Sequence, residues 1–138
     1  NVEVVFISHT TTAKEVNEFE FFHKVESGGT YISSGLNKAL EIAEKRYNPA
    51  HWNIYAFYVS DGDNWSEDNA KAVEAANNLA EICNVFGYAE IMNSFFSSSI
   101  RDRLVKGVKK DNFLSVVIKQ KKDLWNALKY MLKKQIVR

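Results

Sequence analysis

Two aspartates flank a glycine in Tyr58-Val59-Ser60-Asp61-Gly62-Asp63-Asn64-Trp65, where an apolar run gives way to a helix-like one. Carboxylates are hard oxygen donors, and Mg2+ typically takes one or two of them while keeping several waters. A second loop, Ser27-Gly28-Gly29-Thr30, opens another helical run, and its Thr30 hydroxyl is a neutral oxygen of the same hard class. Gly28, Gly29 and Gly62 allow close backbone approach and positive φ. The same residue types also build plain turns, and Asp63 could simply accept backbone amides. On spacing alone, metal site and turn both stay open. His9, at the end of the first apolar run, and His23, before the glycines, add candidate ligands or acid–base groups. Histidines in such places more often cap a turn, and His51, just past Pro49, reads as structural.

The elements that must position these loops follow from periodicity. Val2 to Ser8 is β-branched and aromatic with little polar interruption, the pattern of a buried strand. The polar run His9 to Thr12 predicts a hairpin into a short second strand at Ala13-Lys14-Glu15-Val16. Phe19, Phe21 and Phe22 predict a short helix or extended arm. Leu36, Ala39, Leu40, Ala43 and Tyr47 recur at helical spacing, with Ser33 or Ser34 as the start cap and Asn48-Pro49 as the stop. Trp52 to Val59 is an aromatic-rich strand. Ser66 predicts an N-cap, with Glu67 and Asp68 in the first turn where the helix dipole favours them. Val73, Ala76, Ala80 and Cys83 form the buried stripe of that helix. Val85 to Met92 is a third main strand, and 93–110 is Ser-rich and irregular around a short helix near Ile100 to Val105. Phe113 to Ile118 is a fourth strand, and Leu124, Trp125, Leu128, Met131 and Leu132 make a final amphipathic helix. Strands alternating with helices predict an α/β three-layer sandwich on a mainly parallel, Rossmann-like sheet. Ligands of such sheets bind at the carboxyl ends of strands, where both glycine loops fall.

Composition narrows the function. A length of 138 residues with 46% hydrophobic and 25% charged residues suits one globular domain with a real core. No apolar stretch has the length of a membrane span, and the opening residues lack a signal-peptide pattern. The chain starts inside an apolar run without methionine, which reads as a cut. The single cysteine, Cys83, fits a reducing compartment, so the expectation is a cytoplasmic protein. Charge is uneven: residues 1–100 carry 6 Lys and Arg against 14 Asp and Glu, whereas residues 101–138 carry 12 against 3. A solvated basic surface explains that, and without aromatics interleaved as a base-stacking platform, nucleic-acid binding is disfavoured. Phosphate-cradling glycine motifs, a nucleophile elbow and zinc spacings are absent from the sequence.

The runs FISHTTTAKEV, SGGTYISSGLNKALEIA and YVSDGDNW stand in the order and spacing of a von Willebrand factor A-type domain, which the chain resembles. More closely, ESGGTYISSGL and RYNPAHWNIYAFYVSDGDNW resemble the YeaH/YhbH family of bacterial proteins, linked to stress and sporulation. The resemblance is strongest from Val2 to Trp65 and weak after about Asn84. It implies a metal-ion-dependent adhesion site (MIDAS) in which Thr30 is the second-loop ligand and Asp61 the third-loop ligand. Asp63, Asn64, Trp65 and His9 would then be its surroundings or partner contacts. The first-loop Asp-x-Ser-x-Ser motif has no counterpart here, so the resemblance implies a domain whose first strand and helix are missing from this chain. The implied cofactor is Mg2+, with Mn2+ as the alternative, bound weakly by the residues present. The implied function is a non-enzymatic module whose metal captures a carboxylate from a protein partner, and an AAA-type serine protein kinase is the partner suggested by association. The missing segment, or self-association, would cover the unpaired strands. The rival reading is a metal-dependent hydrolase or phosphotransferase, in which Asp61 and Asp63 hold the metal against a phosphate and a histidine serves as acid or base.

Overall fold

A computed structural model describes residues 1–24, 28–92 and 100–136, with side chains through Lys133. Its secondary structure is mixed α/β. The first strand β1 (Phe6–His9) turns through Thr10-Thr11-Thr12 into β2 (Ala13–Val16), and the two pair antiparallel with Phe6 opposite Val16. The Thr10 amide donates to the Thr12 carbonyl at 2.9 Å and closes the hairpin. Helix α1 (Glu18–His23) follows, started by Asn17 and Glu20 in a reciprocal capping box. The expected strand from Val2 is shorter than its apolar pattern, because Val2 and Val4 are exposed and lie outside the ladder.

The main sheet has three parallel strands in the order β3 (Tyr55–Ser60), β4 (Val85–Ile91), β5 (Phe113–Ile118). Tyr58 stands opposite Tyr88, and Ser60 opposite Glu90. Alternation along β4 divides the core. Phe86 and Tyr88 join Ile32, Leu36, Leu79 and Leu104 from helices α2 (Ile32–Arg46), α3 (Asn69–Ile82) and α4 (Ile100–Gly107). On the opposite face Val85 and Ala89 meet Met131 and Ala127 of α5 (Lys121–Ile136). Gly87 lies beneath α5 because a Cβ there would fall 2.3 Å from the Met131 sulfur. Helices therefore cover both faces of the sheet. The segment 93–99 lies outside the described residues, and with it most of the Ser-rich stretch.

Coverage is incomplete at β3. Tyr55, Phe57 and Val59 point to the α5 face and are all exposed, Phe57 to 45%. Strand β3 is an edge of its sheet, and among the described residues no ladder joins it to β1. The two nonetheless approach, since His9 of β1 bonds the Tyr58 hydroxyl of β3.

Two sequence expectations change in the helices. On α5 the apolar stripe buries Met131 and Ala127, while Leu124, Trp125, Leu128 and Leu132 stay exposed. Trp125 also carries Lys129 over its ring at 5.3 Å, so an aromatic does stand among the basic residues. On α3 the buried residues are Ala72, Ala75, Ala76, Leu79 and Ala80; Val73 is only half-buried, packing against Gly107. No described helix is long and apolar enough to cross a membrane.

Candidate functional site

Both glycine-containing loops lie beside the start of α2, and they are tied to each other. The Trp65 amide donates to the Thr30 carbonyl at 3.3 Å. The Asn64 side-chain oxygen accepts the Ile32 amide at 2.9 Å. Asp68 accepts from the Ser33 amide at 3.0 Å and from the Ser33 hydroxyl. Asn64 also donates to Asp68 at 3.2 Å and to Asn69 at 3.0 Å, which holds its amide in one orientation. The loop after β3 thus supplies the cap that the helix after Thr30 lacks.

That arrangement corrects two sequence expectations. Neither Ser33 nor Ser34 caps α2, which begins at Ile32 after Tyr31 with no side-chain cap from Tyr31. Ser33 lies inside the helix and donates outward to Asp68, while Ser34 donates back to the Tyr31 carbonyl at 2.7 Å. Ser66 is not an N-cap either. It starts a short 3-10 turn, Ser66–Asp68, with no side-chain cap bond. Asp68 ends that turn and is only 3% exposed, a buried carboxylate turned to α2 and not to its own helix. Its hydrogen bonds to the Ser33 amide and hydroxyl offset the desolvation of the charge. Nothing local in Ser66-Glu67-Asp68 distinguishes that role from a first-turn acid.

Each candidate ligand has a definite place. Asp61 is exposed, and one carboxylate oxygen accepts the Asp63 amide at 3.0 Å, an Asx turn around Gly62. Gly62 adopts φ 88°, which a side chain would resist, and its amide donates to the Ser60 hydroxyl at 2.9 Å. Asp63 is exposed. Thr30 is half-buried and is held through its carbonyl. Ser27 and Glu26 lie outside the described residues. Trp65 is 53% exposed, with its indole against Gly29, where a Cβ would fall 2.3 Å from Nε1. Tyr31 meets the Trp65 ring edge-on at 6.1 Å and donates its hydroxyl to Glu67. That bond to a carboxylate holds the Tyr31 phenol above its ordinary range.

His9 belongs to a neighbouring polar cluster. Its Nε2 pairs with the Tyr58 hydroxyl at 2.8 Å, and its Nδ1 lies 3.3 Å from the Ser34 hydroxyl. Gly35 makes room for the ring, since a Cβ there would come 2.7 Å from His9 Cδ2. Burial lowers the His9 pKa, opposed by the Thr10 and Tyr31 backbone and by Asp68. Tyr58 stacks on Tyr88 at 5.8 Å, and Tyr88 donates to the buried Glu90 at 2.9 Å. Burial raises both phenols well beyond the ordinary tyrosine range. Sequence reading of the Val85 to Met92 strand did not single out Glu90. His23 is exposed and its Nδ1 donates to the Phe19 carbonyl at 2.9 Å.

Thr30 and Asp61 are hard oxygen donors of the kind Mg2+ takes, but they are few. Among the described residues no three His, Cys, Asp or Glu side chains gather as a metal cage. The donor chemistry fits a hard cation in kind; the number requires ligands from elsewhere or water.

A family model described as a protein of unknown function (DUF444) matches residues 1–135. The chain belongs to the DUF444 family. The UPF0229 protein of Clostridium perfringens strain 13 is 60% identical over 136 residues, covering 99% of this chain and 35% of that protein. A UPF0229 protein of Ruminiclostridium cellulolyticum is likewise 60% identical, over 97% of this chain and 34% of its own length. One from Bacillus cereus strain B4264 is 44% identical over 97% of this chain and 34% of its length. The DUF444 chain thus spans about a third of the length of these bacterial relatives.

Proposed function

We propose that this DUF444 chain is part of a von Willebrand factor A-type domain that serves as a metal-ion-dependent protein-interaction module. The observation that carries the reading is the meeting of the Thr30 and Asp61 loops beside a parallel sheet, joined by the Trp65–Thr30 and Ile32–Asn64 bonds. Thr30 and Asp61 would hold Mg2+ or Mn2+, with the remaining ligands outside this chain. Bound there, the metal would supply an open coordination position for a partner's carboxylate. Asp63 and Asn64 shape the loop: Asp63 closes the Asx turn and Asn64 fixes α2 against it. His9 is held by Tyr58 and Ser34 in a polar cluster beside these loops.

A strand and helix outside this chain would complete the domain by pairing with β3 and covering Tyr55, Phe57 and Val59. Self-association is the other way to cover them. A strictly monomeric 138-residue chain in sedimentation, with no co-purifying peptide, would count against both. A cytoplasmic stress or sporulation context, and an AAA-type serine protein kinase as partner, rest on the resemblance alone.

Isothermal titration of Mg2+ into a protein of the relatives' length tests the module. Saturable binding that disappears in Asp61→Ala and weakens in Thr30→Ala is expected. Binding that survives Asp61→Ala would overturn the assignment, and phosphatase turnover lost in Asp61→Ala would favour an enzyme.

A further inference from the structure

Trp65 is a large aromatic left half in solvent. Its indole edge lies where a Cβ on Gly29 would stand, so the glycine is what admits the ring there. Tyr31 stands edge-on to it, and the Glu67 carboxylate is fixed at the Tyr31 hydroxyl. Asp61 and Asp63 stand on the same loop, both exposed. Among the described residues no Lys or Arg forms an ion pair with Asp61, Asp63 or Glu67, and none lies over the Trp65 ring. Elsewhere the chain does use its cations this way: Arg46 lies over Tyr47 and binds Glu15, and Lys129 lies over Trp125.

An indole face beside fixed carboxylates is the chemistry that holds an ammonium or guanidinium group. We propose that Trp65, Tyr31 and Glu67 form a docking notch for a lysine or arginine side chain of the protein partner. This deepens the module reading and rests on it for the partner: a segment giving a carboxylate to the metal would give a neighbouring basic residue to the notch. Glu67 attracts the cation, Tyr31 orients Glu67, and Trp65 supplies the face. Gly29 admits the indole edge, and Trp65 stays 53% exposed.

The test uses the intact isotope-labelled protein in EDTA, following the Trp65 indole N–H by NMR after assignment with Trp65→Phe. The probe is acetyl-Gly-Arg-Gly-amide, with citrulline replacing arginine as the uncharged control. A saturable shift with the arginine peptide is expected, at least about threefold weaker with citrulline and in Glu67→Gln. Equal binding of the citrulline peptide, or undiminished binding by Glu67→Gln, overturns the notch. EDTA separates the two readings. Arginine binding in EDTA, with no Mg2+ binding in the separate titration, sustains the notch and sinks the metal; Mg2+ binding in that titration without arginine selectivity in EDTA does the reverse.

Discussion

Asp68 caps a helix to which it does not belong: its carboxylate accepts both the amide and the hydroxyl of Ser33, thirty-five positions earlier in the chain. Asp68→Ala leaves a buried amide without its acceptor and should destabilise by about 2 kcal/mol. Asn64→Ala should cost about 1 kcal/mol. Because the two side chains bond each other, the double variant should lose less than the sum. Urea unfolding of the four proteins measures all three quantities, and strict additivity would show that the two caps act independently.

Gly35 is buried in α2 against the His9 ring. Alanine is the better helix former by about 1 kcal/mol, yet Gly35→Ala should be net destabilising because the ring and its Tyr58 bond must shift. Shrinking the ring in His9→Ser should restore much of the loss. Thermal melts of both single variants and the double check this, and a Gly35→Ala protein more stable than the parent would contradict the packing.

His9 should also make stability depend on pH. Burial lowers its folded pKa below the ordinary value of 6.5, so the unfolded chain binds the proton more readily. The contribution is fully present above 6.5 and declines as pH falls from there through the lowered folded value. His9→Gln should flatten that part of the profile, read from urea midpoints between about pH 5.5 and 8. An equal slope in parent and variant would place the titration elsewhere.

Cys83 is buried just past α3, and burial pushes its thiol up to about 12. Little thiolate exists near neutrality, so a disulfide reagent should label the native protein far more slowly than the urea-unfolded one. Fast labelling of the native protein would mean that the end of α3 opens readily.

Much of the architecture was readable from periodicity. Phe113 to Ile118 is a strand with the expected ends, and Ala13 to Val16 pairs back as the hairpin required. Loop glycines marked where the backbone turns, and Gly62 does take positive φ. What periodicity missed depends on distant neighbours. The capping duties of Asn64 and Asp68 need the loop after β3 to lie on α2, which no local pattern encodes. Similarly, the apolar stripe on α5 is wider than the face the sheet covers, so Leu124 and Trp125 read as core but lie at the surface. The His9–Tyr58 bond joins residues of separate sheets, and the interleaving sequence carries no trace of it.

The borrowed cap of α2 also sets an order of events. Its first turn lacks a cap from Tyr31 and gains the acceptors for Ile32 and Ser33 only once a loop more than thirty residues downstream has closed. Contacts of that sequence separation form after local helix and hairpin contacts, so the helix should propagate backwards from its middle and reach Ile32 late in folding. In the native protein the same dependence runs in reverse. Each opening of the Asp61–Asp68 loop exposes the amides of Ile32 and Ser33, and their hydrogen-exchange rates become a clock for that loop rather than for the helix.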